Sequence, residues 1–318
     1  MTTSPSTVPG ATPSTSDLET CAAILELLYP VRRAADPDAP NTAAAFPEQI
    51  NQLLDFVSVG EPVMFTLPGF PCKSPNPAKV LGDLPDEGER LSLRFLDELC
   101  ASVQAVYAPG ARLVICSDGH IFGDVIGVAD DRVDAYSDEL RELMAKEELS
   151  RLSLFNLQDI YPGLSYDEKR RRVTVAYAPT IAQLREEVMT DESTLRLYRG
   201  ITRFLVDDTA HWTGSKSALQ RECRTRSYEV IARSRAWGDL VAAYHPRSVR
   251  LSIHPQPAGA AKFGIRLLDA PDAWMTPWHS VLVEEPGKAP RLVRHKDAVE
   301  LGELVTVDGR PSHFRVTD

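Results

Sequence analysis

The sequence predicts an α/β protein: a mainly parallel sheet covered by helices, with additional strands toward the C-terminus. Three observations carry this. Short, continuous apolar runs such as 62–67 and 113–116 read as strands buried on both faces. Longer segments with apolar residues at helical spacing alternate with them. The last third holds short strand-like runs joined by turns.

Residues 1–17 are Ser, Thr, Pro and Gly with almost no apolar content, and are predicted to form a disordered tail. The remainder, 18–318, is expected to be a single α/β domain, since no stretch within it reads as a linker. From Leu18 a helix runs until Pro30 stops it. In "FPEQINQLLDFVSVG", Ile50, Leu53, Leu54 and Val57 share one helical face and Gly60 follows as a stop. A strand over 62–67 enters a loop stiffened by Pro68, Pro71, Pro75 and Pro77. Leu96, Leu99, Val103 and Val106 form the next helical stripe, Pro109-Gly110 a turn, and 113–116 a buried strand. Helices are expected over 134–150, 153–160, 181–206 and 215–243, and a short strand over 173–177. "SVRLSIHP", "KFGIRLL", "HSVLVEE" and "LVTVDG" read as strands.

Composition narrows the function. With 318 residues the chain has ample length for a core. Its net charge of −10 argues against a nucleic-acid binder, which needs a cationic surface. Five scattered cysteines without a C-x-x-C favour neither a zinc site of that type nor a disulfide framework, and point to a reducing cytoplasm. The N-terminus lacks the features of a secretory signal, and no run approaches a membrane span.

Ligands of open α/β sheets bind beyond the carboxyl ends of the strands. Two loops are expected there. "GFPCKSPNPAKVLG" carries Lys73 and Lys79 in a loop that loses little entropy on ordering, which suits a small anion; "NPAK" reads as a helix start with Asn76 as cap. The alternative is a rigid surface loop with solvated lysines. "SDGHIFGD" offers Ser117, Asp118, His120 and Asp124 around two glycines, or else an ordinary turn that holds a histidine. In "SVRLSIHPQP", Arg250, Ser252 and His254 share one strand face, lining either a pocket or a wet edge. In "WMTPWHS", Trp274, Trp278 and His279 read as pocket wall or core. Lys216 opens a long charged helix, and "KRRR" at 169–172 reads as a solvated run. A metal-dependent oxygenase or lyase built on His120, Asp124 and His279 is one rival reading, and a non-catalytic phosphosugar-binding module another.

Taken together, "FPCKSPNPAKVLG", "PGARLVICSDGHIFGDVIGVADDRV", "VRLSIHPQP", "KFGIRLL" and "MTPWHS" resemble the isonitrile (isocyanide) synthase family of the pyoverdine/dityrosine biosynthesis type, over roughly residues 50–283. The resemblance implies a Rossmann-like sheet. It also implies condensation of an amino acid's α-amine, most often that of tyrosine or else tryptophan, with the ketone of ribulose 5-phosphate. Fragmentation then leaves an isonitrile. No cofactor is implied, ribulose 5-phosphate being a co-substrate. The partners implied are these small molecules and, in the pathway, an iron/2-oxoglutarate oxygenase. Matched to that chemistry, Lys73, Ser74, Asn76 and Lys79 are expected at the phosphate. His120, Asp118, His254 and Lys73 form the expected catalytic set. Arg250 or Arg233 is expected at the carboxylate and Trp278 at the aromatic side chain. Ser117, Asp124, Lys216, Ser252 and His279 complete the expected lining.

Overall fold

The computed structural model describes residues 14–270 and 275–317. The expected tail therefore lies mostly outside the described residues, as does Trp274. Its end is helical: α1 (Thr15–Leu28) opens with a capping box in which Ser14 and Asp17 satisfy each other's backbone amides. In α2 (Pro47–Val57) proline occupies the first turn, and the chain reverses at Gly60, whose φ of +70° suits glycine. β1 (Val63–Pro68) follows. α3 (Glu87–Val103) is opened by an Asp86/Glu89 capping box, and Val106 lies exposed beyond its end.

The chain continues through β2 (Ala111–Cys116), α4 (Gly119–Ile126), α5 (Asp130–Lys146) and β3 (Leu152–Phe155). Four helices come next: α6 (Tyr166–Tyr177), α7 (Ile181–Thr190), α8 (Glu192–Asp208) and α9 (Lys216–Tyr244). β4 (Val249–Ser252) and β5 (Phe263–Gly264) complete the first sheet. The C-terminal part adds β6 (Val281–Glu284), β7 (Arg291–Val293), α10 (His295–Leu301), β8 (Glu303–Val307) and β9 (Arg310–Arg315).

The first sheet has the order β3-β2-β1-β4-β5 and is parallel throughout, a Rossmann-like arrangement. Both faces are covered, which is why its strands read as apolar runs. Phe65, Leu67, Leu113, Ile115, Val249 and Leu251 pack with residues of α1, α2 and α3 in the main core. Val114 and Cys116 look the other way, against Trp237, Leu240 and Val241 of α9, and the Trp237 indole donates to the Cys116 carbonyl (3.2 Å). The second sheet, β7-β6-β9-β8, is mixed. Among the described residues all five cysteines are free and buried, and no helix is long and apolar enough to cross a membrane.

Several elements differ from expectation. Residues 173–177 belong to α6, where Ser165 caps the helix and Val175 points to solvent; local β propensity yields to helix continuation. Residues 153–160 are β3 followed by a 3-10 turn, because pairing with β2 claims the apolar run. The 181–206 helix is two helices divided at Asp191. "NPAK" forms a turn, not a helix: Asn76 caps Ala78 (3.0 Å), and the Lys79 amide returns to the Asn76 carbonyl (3.0 Å). The expected 117–124 loop is mostly α4. In "KRRR", Lys169 and Arg170 are buried, and Arg170 ties Asp130 (2.7 Å) to Asp167 (2.5 Å).

Candidate active site

The first sheet's strand order reverses between β1 and β4: the chain leaves β1 for β2 and β3 on one side, and returns on the other as β4 and β5. Crevices of this kind are where open α/β sheets take their ligands. At this crevice the chain gathers titratable groups from four elements.

Asp118, two residues beyond β2, has φ −103° and ψ 10°, the sparsely allowed bridge region in which many active-site residues sit. It starts α4 without capping it by its side chain. Burial pushes its carboxyl up to about 7, against the opposing pull of its own backbone amide and of Lys262. The next residue must be glycine, because a Cβ at Gly119 would lie 2.1 Å from the Pro71 carbonyl oxygen. The proline loop is thus pressed onto the start of α4. Its own backbone is strained at Phe70, a buried non-glycine residue with φ +53°.

On β4 the alternation holds as far as Ser252, where the strand ends, so His254 lies beyond the strand and not on its face. Val249 and Leu251 enter the core; Arg250 is half-buried on the opposite face and pairs with no carboxylate among the described residues. The Ser252 hydroxyl accepts from the His254 amide (3.0 Å) and from Gln256 Nε2 (3.3 Å). His254 is open to solvent on one side and hemmed in on the others. That crowding, then Arg33 and Lys262, lowers its pKa.

Lys262 escaped the sequence reading and is the common neighbour of this group. β5 pairs with β4 so that Phe263 lies opposite Leu251, which sets Lys262 beside Arg250. Burial and then Arg250 lower its pKa, while Asp239 of α9 and Asp118 oppose the shift. The signal that could have found it was its place at the start of the "KFGIRLL" strand, next in the sheet to the strand of Arg250.

The proline loop builds a second cluster. Asp208, at the end of α8, accepts on one oxygen from Lys79 (2.5 Å) and Ser74 (3.0 Å). Its other oxygen is buried, 3.7 Å from His279 Nε2. Burial takes the His279 imidazole down to about 4, with Asp208 opposing and Lys79 and Lys73 assisting. The Asn76 amide donates to the Asp207 carbonyl (2.7 Å), and Phe204 packs edge-on to His279 and under Lys79. Asp208 and Phe204 also escaped the sequence reading; in "RFLVDD" they look like an ordinary helix end. The Cys72 thiol feels both Asp118 and Asp208, so it lies between the two clusters; burial raises it to about 12. Trp278 is buried against Phe70 (5.0 Å between rings) and forms wall rather than open lining.

Other expected site residues are engaged elsewhere. Lys73 is wholly buried and uses all three donors, on Asp86 (2.7 Å), Glu89 (2.7 Å) and the Pro277 carbonyl (3.0 Å), leaving none for a phosphate. His120 projects toward α5 and α6. Its Nε2 donates to Asp134 (3.0 Å), its ring stacks on Tyr166 (4.0 Å), and burial lowers its pKa despite Asp134. The same Asp134 oxygen accepts from Tyr166 (2.5 Å) and from Gln158, so Nε2 of the imidazole belongs to a polar network, while its Nδ1 is buried without a hydrogen-bond partner among the described residues. Asp124 and Arg233 hold each other (2.6 Å) and lock α4 to α9. The Ser117 hydroxyl donates to the Phe70 carbonyl (2.9 Å) and fastens the loop. Lys216 is exposed about 35 Å along α9 from Asp239 at 1.5 Å per residue. His120, Asp124 and His279 therefore do not converge, and among the described residues no group of three or more His, Cys, Asp or Glu side chains could hold a metal ion.

A parallel α/β sheet with an acid, an amine, a guanidinium and an imidazole gathered at its switch point defines a small-molecule enzyme of Rossmann-like type. Residues 53–305 match the family model described as pyoverdine/dityrosine biosynthesis protein, and the chain belongs to that family of isonitrile synthase homologues. It is 43% identical over 295 residues to an L-tyrosine isonitrile synthase of Pseudomonas aeruginosa, covering 91% of this chain and 90% of the relative. It is 42% identical over 268 residues to the L-tryptophan isonitrile synthase AmbI2 of Fischerella ambigua, covering 83% and 80%. The crystal structure of the PvcA protein of Pseudomonas aeruginosa superposes with a TM-score of 0.88 at 41% identity, covering 94% of this chain and all of that one.

Proposed function

We propose that this protein is an isonitrile synthase that converts the α-amine of an aromatic amino acid, L-tyrosine before L-tryptophan, with ribulose 5-phosphate as the carbon donor. One observation carries the reading. A chain 43% identical to an L-tyrosine isonitrile synthase gathers an acid–base pair and a free guanidinium at one crevice, the groups an amine–ketone condensation requires.

The amine must shed a proton before it attacks, and the departing oxygen must gain protons to leave as water. Asp118 takes over the role first expected of His120: a carboxyl titrating near 7 both gives and takes protons at neutral pH. His254, at the open end of the same crevice, serves later proton movements. Arg250 receives an anionic group of the substrates through its fork of donors. Lys79, Ser74, Asn76 and His279, gathered around Asp207 and Asp208, are assigned to the sugar phosphate in this reading, with Trp278 against Phe70 beside them. The reaction needs no bound cofactor in this reading. An iron/2-oxoglutarate oxygenase is the pathway partner that the family resemblance implies.

The test is incubation of the purified full chain with ribulose 5-phosphate and L-tyrosine or L-tryptophan, with and without chelator. Product is read by the isonitrile infrared stretch and by mass. Isonitrile from tyrosine, undiminished by chelator, is expected. No isonitrile from either amino acid would overturn the proposal.

A further inference from the structure

We propose that Lys262 is a covalent catalyst: its amine condenses with the sugar's ketone, and the amino acid then displaces it from the resulting protein-bound imine. The inference rests on the isonitrile-synthase reading, since it names the residue that activates the carbon donor.

Four features of the crevice support it. The pairing of Phe263 with Leu251 fixes Lys262 next to Arg250, on the sheet face that looks toward α9. β5 is only two residues long, so Lys262 immediately precedes it, near enough to Arg250, Asp239 and Asp118 to feel the charge of each. It is half-buried, yet its ammonium makes no hydrogen bond or ion pair with any described residue. The two other lysines at the site differ: Lys73 has three partners and Lys79 is paired with Asp208. Finally, the Asp118 carboxyl, two residues beyond β2, makes no side-chain hydrogen bond or ion pair with any other described residue, and Lys262 is the cation whose charge it feels.

Burial and the neighbouring Arg250 guanidinium lower the pKa of this amine, which brings its neutral, nucleophilic form closer to reach. Its lone pair forms a bond to the ketone carbon, and the carbonyl π pair moves to oxygen, which is protonated. A second proton, from Asp118, lets that oxygen depart as water and leaves an iminium. The amino acid's amine adds to the same carbon, the bond to Lys262 breaks, and Lys262 leaves as the free amine after taking up a proton. The net change is ketone plus amine to imine plus water, with no oxidant or reductant. An iminium is a better electrophile than the ketone, which is what the detour gains.

The experiment omits the amino acid, so that only a protein amine can be trapped. The full chain is incubated with ribulose 5-phosphate, reduced with borohydride, digested and mapped by mass. A phosphopentityl group on Lys262 is expected, absent in Lys262→Arg. Lys262→Arg and Lys262→Met should also lose isonitrile formation by about 10²-fold or more at near wild-type melting temperature. Three results would overturn the proposal: a wild-type protein that makes isonitrile with its Lys262 peptide unmodified, adducts confined to other lysines, or near-normal turnover in Lys262→Arg. Should a variant fail to fold, trapping in the wild type alone decides. A wild type that traps sugar on Lys262 but makes no isonitrile would instead sink the proposed function.

Discussion

Lys73 and Lys262 illustrate two ways of placing a cation at the end of a sheet. Lys73, in the proline loop after β1, is buried among two carboxylates, a carbonyl and the Tyr136 hydroxyl, which donates to Glu89 (3.1 Å). Glu89 and Asp86 hold its pKa up against burial, while burial pushes the Asp86 carboxyl up to about 7. Lys262, before β5, has no such partners and a cation for a neighbour, and its pKa falls. The first arrangement fastens loop, α3 and the 277–279 turn together. The second leaves reactivity unspent. Charge in a sequence is therefore a poor guide to a binding site until its partners are known.

The largest expected effect comes from breaking the closed cluster. Lys73→Met leaves two buried carboxylates uncompensated and should cost about 3–5 kcal/mol of stability. Urea denaturation measures it, and turnover per folded molecule should change little. The open cluster should behave in the reverse way. Asp118→Asn keeps the shape but removes titration, and should cut turnover by about 10²-fold. Its stability effect has a definite sign. The Asp118 pKa is raised on folding, so the wild type is favoured while the carboxyl is protonated and loses that advantage as pH rises toward and through about 7. Asp118→Asn should therefore melt higher than wild type at pH 8 and lose that advantage below pH 4.

Arg250→Lys sharpens the comparison further. It retains the charge but loses the fork, and should raise KM for one substrate by about tenfold, or ~1.4 kcal/mol; titrating each substrate in turn tells which one Arg250 holds. The smallest effect is expected for His120→Asn. Loss of the bond to Asp134 should cost about 1 kcal/mol of stability and leave turnover per folded molecule near wild type. A turnover loss of about 10²-fold without destabilisation would return His120 to the catalytic set.

Much of the scaffold was legible in the sequence because its signals are local and agree with one another. The apolar runs of β1 and β2 and the stripe of α2 each carry their own periodicity. The place of Asp118 just beyond β2 and the alternation that sets Arg250 opposite Val249 and Leu251 were legible for the same reason, whereas the expected loop after Asp118 is mostly α4 and His254 lies beyond the end of β4. Failures came where tertiary context decides. Thr174 to Tyr177 has strand-forming residues, yet continues a capped helix with one buried valine, Val173. Leu152–Phe155 becomes a strand only because β2 offers an edge. Lys73 and His120 look like site residues until their partners, thirteen to sixteen and fourteen positions away, are placed against them. Asp208 and Lys262 were missed because Ser74 and Lys79, in the first case, and Asp118, in the second, lie more than a hundred positions off, and because only the pairing of β5 with β4 sets Lys262 beside Arg250.

The position of β4 beside β1 bears on how the molecule is made. During synthesis the β1–β2–β3 unit emerges with the far edge of β1 unpaired. Its partner arrives roughly 180 residues later, on the order of 10–40 s at ribosomal speeds of 5–20 residues per second. For that interval the edge of an apolar strand stands open, the kind of surface that recruits chaperones or foreign strands. Only when β4 docks does the crevice acquire its second wall, so catalytic competence and closure of the sheet arrive together. A pulse-labelled nascent chain arrested before residue 249 should be more sensitive to protease and to aggregation than one arrested beyond β5.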